Sequence, residues 1–299
     1  MRNSLCRLLE SAVYNRFAVF VSIALALALP KLPFSRFILQ AVLMVLLYVN
    51  FLTIQPEWNR NADRFLFLYP FFVFVVYPIL LMFLSPYMPD YLFTGLLIAC
   101  ITPTATASPV MSDIIRGKTS RLLGHVLMSN IISPLSYSIL LLVFLHARSL
   151  SIPYMRIGYT VGILVLIPYA SARLTARFHS RVKSAQMPLL KKGLFLLLVF
   201  VAASSASPSV RSLDTVSLFV IFLTSFSLAL ILYGTGFLLG STDAERKTAA
   251  LMFGHKNIGL SLLIAVTNFG ADASLPLVLY IISHHILNGI LIGIYGKQS

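Results

Sequence analysis

The chain has 299 residues, of which 58% are hydrophobic and only 11% are charged. Soluble domains contain about 45–50% apolar and about 25% charged residues, so this composition excludes a soluble globular enzyme. The mean hydropathy of +0.89 predicts an all-α membrane protein that crosses the bilayer many times. The net charge of +14 arises from basic residues in short links between apolar runs, where they report topology. We therefore expect the lipid bilayer, and no nucleic acid, as a partner.

Ten apolar runs are long enough, at about 20 residues each, to cross a bilayer as helices. In chain order they lie at about 16–33, 35–54, 65–85, 89–115, 119–146, 154–175, 188–207, 213–239, 245–268 and 273–295. The start of the chain, basic and then apolar, also resembles a secretory signal peptide. We expect it to be retained, because its removal would leave nine spans. The whole chain, 1–299, is therefore predicted to be a single transmembrane domain.

The basic residues are distributed unequally between the two sides of this predicted membrane protein. With ten spans in order, 17 of the 23 Lys and Arg residues fall on one side, five fall on the other, and Lys256 lies within a span. Positive residues concentrate in cytoplasmic links. Both termini and the basic link at 173–192 are therefore predicted to be cytoplasmic, in a multi-pass protein of the inner cell membrane.

The fourth and ninth predicted spans are interrupted at matching places. The fourth carries two prolines within Thr102–Pro109, and the ninth carries Gly254 and Gly259 around a Lys-Asn pair. The interruptions are about 150 residues apart, and Ile-Ile-Ser recurs at 131–133 and 281–283. Five spans per half is an odd number, so two repeats, about 16–146 and 154–296, must be inverted. Matched broken helices in inverted repeats are typical of secondary transporters; the alternative is one proline kink and one flexible helix without a function.

Lys256 lies near the middle of the ninth span, where a lysine costs about 2.5–3.5 kcal/mol to insert. We predict a buried cation that faces the bundle interior; the alternative is a lysine whose long stem reaches an interface. Asp113 is the one carboxylate well inside an apolar run. It is either a charge or proton partner of Lys256 or an interfacial acid beside Arg116.

Other polar side chains gather at and beside the two interruptions. Three of them are imidazoles predicted to share one depth, which suggests ligand or proton chemistry, although a single buried histidine is most often a packing residue. We assign substrate binding to Thr104, Thr106, Ser108, His255, Asn257, His284, His285 and Asn288. The two cysteines, Cys6 and Cys100, lie far apart, and no metal-ligand spacing is present. We therefore expect no metal and no cofactor.

These motifs resemble the bile acid:sodium symporter family in its bacterial ten-helix form. Thr102–Met111 is similar to the family's CPGGTASNVM motif, and Asn257–Leu260 is similar to its QNSGL motif. Leu275-Pro276, followed by His284-His285, is similar to its LP…WHN stretch. The resemblance implies a panel of spans 1, 2, 6 and 7 and a core of spans 3–5 and 8–10, in which broken helices 4 and 9 cross. It also implies alternating access, with an organic anion bound between panel and core.

The same resemblance shows where this sequence departs from the family at its sodium sites. Oxygen-bearing side chains of the family are replaced by Val73, Pro109 and Met252, and a glutamine is replaced by Lys256. These changes remove hard oxygen ligands and add a positive charge. We therefore expect a sodium-independent transporter or facilitator of a small organic anion, with Lys256 substituting for a bound cation. The alternatives are a proton-coupled carrier, a non-transporting substrate sensor and an intramembrane enzyme, of which the last lacks a recognisable nucleophile or metal motif.

Overall fold

The structure is a computed structural model that describes residues 12–29, 36–53, 64–150, 154–178 and 187–296. Cys6, both termini and residues 179–186 of the basic link lie outside these ranges. The first seven helices are α1 (Ala12–Ala28), α2 (Arg36–Thr53), α3 (Phe65–Pro70), α4 (Tyr77–Leu84), α5 (Asp90–Ile101), α6 (Ser108–Ile114) and α7 (Thr119–His146). They are followed by α8 (Tyr154–Phe178), α9 (Met187–Ser212), α10 (Thr215–Leu239), α11 (Asp243–Gly254), α12 (Ile258–Asn268) and α13 (Leu275–Tyr295).

The described helices include many that suit a membrane. Six segments are long and apolar enough to cross one: Phe65–Tyr87, Thr119–His146, Tyr154–Arg177, Leu189–Ser212, Thr215–Leu239 and Asp272–Tyr295. Four shorter apolar helices lie at Ala18–Ala28, Phe37–Leu52, Asp90–Ile101 and Ile258–Asn268. This all-helical architecture is that of a polytopic membrane protein, as predicted. The count of ten spans and the inverted repeat stay predictions.

The fourth and ninth predicted spans are each divided into two helices. α5 ends at Ile101 and α6 begins at Ser108, while α11 ends at Gly254 and α12 begins at Ile258. Pro103 lies in the first gap, where its missing N–H removes a backbone donor and disfavours continuation of the helix. Pro109 lies in the first turn of α6, where proline is tolerated because the N–H groups of that turn have no acceptor within the helix. Both interruptions predicted from the sequence are therefore present.

A π-helical turn at Phe71–Val76 separates α3 from α4, directly after Pro70. Proline removes one donor from the helix, and the wider turn that follows accommodates the loss. Such turns are frequent at functional sites. Val73, which the family resemblance predicts as a former sodium-site position, is buried in this turn, and its carbonyl accepts from the Cys100 thiol of α5.

The helices can be grouped into two sets, which also pack extensively on each other through α7 and α8. α9 packs on α1 and α2, and α2 packs on α8; we name these four helices the panel. α10 packs on α11 and α13, and α13 packs on α5; with α3, α4, α6, α7 and α12 they form the set that we name the core. α12 and α13 both contact panel helix α9, so the break in the ninth span lies beside the boundary between the sets. The predicted movement of panel and core as separate bundles stays a prediction.

Candidate functional site

The two interrupted helices meet at their breaks. The link between α5 and α6 pairs with the link between α11 and α12 as an antiparallel bridge at Thr104 and Lys256. The Ala105 N–H donates to the His255 carbonyl at 2.8 Å, and the Asn257 N–H donates to the Pro103 carbonyl at 2.8 Å. Backbone groups that leave a helix inside a membrane need partners from the protein. At this crossing each link supplies partners for the other.

Two of the predicted hydroxyl groups bind the backbone of the crossing. The Thr104 hydroxyl donates to the Met252 carbonyl at 2.7 Å, and the Ser108 hydroxyl donates to the His255 carbonyl at 3.5 Å. Both side chains are fully buried. Asn130, on α7, donates to the Thr104 carbonyl at 2.9 Å. Thr104 and Ser108 therefore hold the crossing together in this conformation, and their contact with a substrate stays a prediction.

Lys256 lies inside the core. The residue is 1% exposed, and its Nζ donates to the Thr102 carbonyl at 3.0 Å and to the Tyr69 hydroxyl at 3.3 Å. Nζ also lies 5.0 Å from the centre of the Tyr69 ring, within cation–π distance. Thr102 directly follows α5, so the ammonium lies at the negative end of that half-helix's dipole. The arrangement is that of a lysine buried in the core rather than of a lysine that reaches an interface; its charge stays a prediction.

Three residues of the network around Lys256 were not identified from the sequence. The Tyr69 hydroxyl donates to the Thr102 carbonyl at 3.2 Å. The Thr102 hydroxyl lies 2.7 Å from that of Tyr137 and 2.5 Å from that of Ser261. Tyr69, Tyr137 and Ser261 come from α3, α7 and α12. A single tyrosine or serine in an apolar run carries no signal of its own, and only the packing of these helices brings them to one carbonyl.

Asp113 lies apart from this network. It is exposed on α6, whereas both acceptors of the Lys256 ammonium are neutral oxygens. Among the described residues, the charge pair between Asp113 and Lys256 that the sequence left open is not formed. The exposed position of Asp113 agrees with the alternative interpretation, an acid near the end of the span.

Glu245 forms ion pairs with three basic side chains. It lies in the first turn of α11, among charged residues and before the apolar part of that helix. Its carboxylate oxygens lie 3.2 Å from Arg64, 2.9 Å from Lys118 and 2.8 Å from Arg121. The hydrogen bonds from Lys118 and Arg121 lower the pKa of Glu245 to about 2. This cluster ties the beginnings of α3, α7 and α11 together at one end of the core.

The three positions that the family resemblance predicts as former sodium sites lack side-chain oxygens. Val73, Pro109 and Met252 are all buried. The Val73 carbonyl accepts from the Cys100 thiol at 3.7 Å, and the Met252 carbonyl accepts from Thr104. Among the residues that the structure describes, no group of three or more His, Cys, Asp or Glu side chains is placed to hold a metal ion.

The three predicted histidines form a cluster. The ring centres of His255 and His284 are 5.1 Å apart, and those of His284 and His285 are 4.5 Å apart. His284 is 2% exposed, and neither of its ring nitrogens has a hydrogen-bond partner in the described part of the chain. His285 contacts Phe195 of panel helix α9, with ring centres 6.2 Å apart. Unpaired buried polar atoms cost free energy, so this cluster suits a ligand that supplies the missing bonds.

Asn288 is buried on α13, one turn after His284. Its Oδ1 accepts from the Tyr233 hydroxyl at 2.7 Å. The Tyr233 ring packs so closely on Gly254 that an added Cβ there would lie 2.0 Å from a ring atom. The Tyr280 hydroxyl donates to the Gly254 carbonyl at 2.7 Å. Two tyrosines therefore position the end of α11, and a side chain at position 254 is excluded by the first of them.

Asn257 and Thr106 are predicted substrate residues that are partly exposed at the crossing. Asn257 donates to Asn130 Oδ1 at 3.0 Å. The Thr106 hydroxyl accepts from Asn50 Nδ2 at 2.7 Å. Asn50 belongs to panel helix α2 and was not identified from the sequence, because an isolated asparagine in an apolar run matches no motif. Its bond to Thr106 joins the panel to the crossing.

Helices that break and cross one another are typical of secondary transporters, and the fold fits that class of membrane protein. The sequence model of the sodium bile acid symporter family matches residues 63–213, half of the chain, and the chain belongs to this family. The family assignment predicted from the motifs is confirmed. The protein is also similar to the uncharacterized protein YbaS of Bacillus subtilis (strain 168), with 27% identity over 204 residues. That similarity spans 65% of this chain and 65% of YbaS.

Proposed function

We propose that the protein is a secondary transporter or facilitator of a small organic anion that works without sodium, and that the Lys256 ammonium takes the place of a bound cation. The observation that carries this proposal is the hydrogen bond of 3.0 Å from Lys256 Nζ to the Thr102 carbonyl. That carbonyl lies at the C-terminal end of a half-helix, where the dipole and the unwound carbonyls attract a cation. A tethered ammonium meets that requirement permanently.

Sodium would find few ligands at the crossing. Hard cations need several oxygen ligands, and the side chains at Val73, Pro109 and Met252 offer none. The Met252 carbonyl is engaged by the Thr104 hydroxyl, and the Thr102 carbonyl is engaged by Lys256 and Tyr69. The buried ammonium would also repel a second cation in its immediate surroundings. These features support sodium independence.

The polar groups beside the crossing favour an anion. His255 and His284 carry buried ring nitrogens without partners among the described residues, and an imidazole N–H can donate to a carboxylate. α12 begins directly after Asn257, and the N-terminus of a helix carries positive partial charge. Lys256, beside both, adds a full charge. We infer a carboxylate bound between panel and core, close to Thr106, Asn257 and the histidine cluster.

Alternating access would occur by movement of the core against the panel. Gly259, in the first turn of α12, approaches the panel so closely that an added Cβ would lie 2.3 Å from a Leu198 methyl group. A glycine against leucine is a smooth apolar contact, which suits sliding better than interlocked side chains. Ten spans in two inverted repeats would provide two equivalent end states, one open to each side of the membrane. The protein would lie in the inner cell membrane with both termini in the cytoplasm.

Proton coupling is the second candidate mechanism. The Lys256 ammonium is buried and donates to two neutral oxygens, so a neutral amine at the same place would leave no unpaired negative charge. Release of a proton could then accompany movement of the core. A substrate sensor would bind the same anion without carrying it, and an intramembrane enzyme is the least supported alternative.

The test combines binding with flux. The purified protein is screened for thermal stabilisation by organic acids in sodium chloride and in choline chloride at equal ionic strength, because a bound ligand raises the melting temperature by mass action. An acid that stabilises equally in both salts is then used in counterflow from proteoliposomes. Flux in choline supports the proposal; stabilisation without flux identifies a sensor; stabilisation only in sodium contradicts sodium independence.

A further inference from the structure

One hydrogen bond joins the side chain of a panel helix to the link inside the broken fourth span. Asn50 lies in the last turn of α2 and is 6% exposed. Its Nδ2 donates to the Thr106 hydroxyl at 2.7 Å, although the two residues are 56 positions apart. A buried amide in an apolar helix is costly unless it is bonded. The bond to Thr106 therefore helps to hold the Asn50 side chain at the boundary with the core.

Thr106 differs from the other hydroxyl residues of its link. Thr102, Thr104 and Ser108 are fully buried and bind core atoms, whereas Thr106 is partly exposed and is bound from the panel side. A hydroxyl that accepts one hydrogen bond still carries its own proton as a donor. The pair of Asn50 and Thr106 therefore brings an amide N–H and a hydroxyl O–H to the place where the proposed function puts the anion.

We propose that the Asn50–Thr106 hydrogen bond is a lock between panel and core that a carboxylate opens, with Asn50 then donating to the substrate. The inference rests on the proposed function and names the panel's contact with the substrate. In the ligand-free protein, Asn50 Nδ2 donates a hydrogen bond to the Thr106 hydroxyl. A bound carboxylate accepts from both groups and replaces one neutral hydrogen bond by two charge-assisted ones, which are stronger. Because the substrate binds better when the lock is open, it shifts the protein toward the state in which the core is free to move.

Three substitutions separate this role from a merely structural one. Asn50→Leu removes both the lock and the donor. Asn50→Asp keeps a bond to Thr106, because the Thr106 hydroxyl can donate to a carboxylate, but it places a negative charge against the anion. Tyr48→Phe is the matched control, since the Tyr48 hydroxyl on the same helix donates to Thr175 Oγ1 at 3.0 Å and Thr175 belongs to panel helix α8.

The probes are acetate, pyruvate, lactate, succinate and benzoate, tested by thermal shift on the purified full chain, each with its uncharged amide. For the acid that stabilises wild type most, Asn50→Leu and Asn50→Asp should weaken binding about tenfold or more, and Tyr48→Phe should leave it within about twofold. Asn50→Leu should lower the melting temperature of the ligand-free protein because it removes the bond to Thr106, and Asn50→Asp should lower it as well because it buries a carboxylate, so affinity and not stability separates the variants from the control. Wild-type acid affinity in Asn50→Asp overturns the inference alone. Failure of every acid to stabilise wild type overturns the proposed function, and the inference with it.

Discussion

Replacement of Lys256 by methionine removes one charge from the crossing and keeps most of the side-chain volume. The ammonium provides a charge-assisted hydrogen bond to the Thr102 carbonyl, worth about 1.5–3 kcal/mol. It also interacts with the end of the α5 dipole, worth up to about 2 kcal/mol in a partly buried setting. Its contact with the Tyr69 ring is worth about 2 kcal/mol when desolvated.

The cost of burying the charge opposes these gains. A lysine at the centre of a membrane helix costs about 2.5–3.5 kcal/mol on insertion scales, and this cost disappears in the methionine variant. The interactions at the crossing exceed it, so Lys256→Met should lower the free energy of unfolding by about 1–3 kcal/mol. Because the crossing would lose its cation, anion flux should fall as well. Lys256→Arg keeps the charge, but the larger planar guanidinium does not match a site built for an ammonium, so we expect it to restore neither property fully.

The assay compares thermal unfolding in detergent with counterflow in proteoliposomes. Lys247→Met is the control, because Lys247 is also buried on α11 but pairs with Asp243 at 2.5 Å and lies over the Tyr295 ring at 5.0 Å. The control should keep its flux even if its stability decreases. Wild-type stability and wild-type flux in Lys256→Met would refute the argument, since the ammonium would then be a tolerated side chain and not a substitute for a bound cation.

Four further predictions concern other parts of the molecule. Replacing sodium by choline or potassium should leave anion flux unchanged, and only the double substitution Met252→Glu with Lys256→Gln should begin to introduce a sodium dependence, measured as a change in apparent affinity. Gly254→Ala should reduce stability and flux, because its Cβ would lie 2.0 Å from the Tyr233 ring, whereas Gly234→Ala should be neutral, because a Cβ there meets no atom within 4 Å. A cysteine placed at Ser184 should resist an impermeant thiol reagent in intact cells; rapid labelling would reverse the predicted orientation. Lys118 and Arg121 lower the pKa of Glu245 to about 2. Their interaction with the ionised carboxylate stabilises the fold above the ordinary carboxyl pKa, and this stabilisation is lost as the pH falls toward 2. Glu245→Gln should therefore lower the melting temperature at pH 7 but not near pH 2.

Several features could be predicted from the sequence because they follow from local chemistry and from the membrane. A bilayer interior leaves helices as the main way for a chain of this composition to pair its backbone, so the apolar runs predict the helical class. Pro103 and Pro109 lie close together, and each removes a backbone donor and disfavours the helix that precedes it, so the first break could be predicted. Lys256 is too costly in mid-span to be exposed to lipid, so its burial followed as well. The motifs around both breaks led to the correct family, although the family match at 63–213 covers only the first of them.

The partners of these residues were decided by tertiary structure alone. Tyr69 lies 187 positions from Lys256 and Asn50 lies 56 positions from Thr106, and no periodicity links such pairs. The direction of each side chain could not be predicted from the sequence either. Thr104 and Ser108 point toward the crossing, Thr106 faces the panel, and Asp113 lies outside the network. Sequence spacing defines depth in the membrane, but rotation about the helix axis and the choice of neighbour depend on how distant helices pack. Lys256 contacts the Thr102 carbonyl only because that packing brings the end of α5 to the link between α11 and α12.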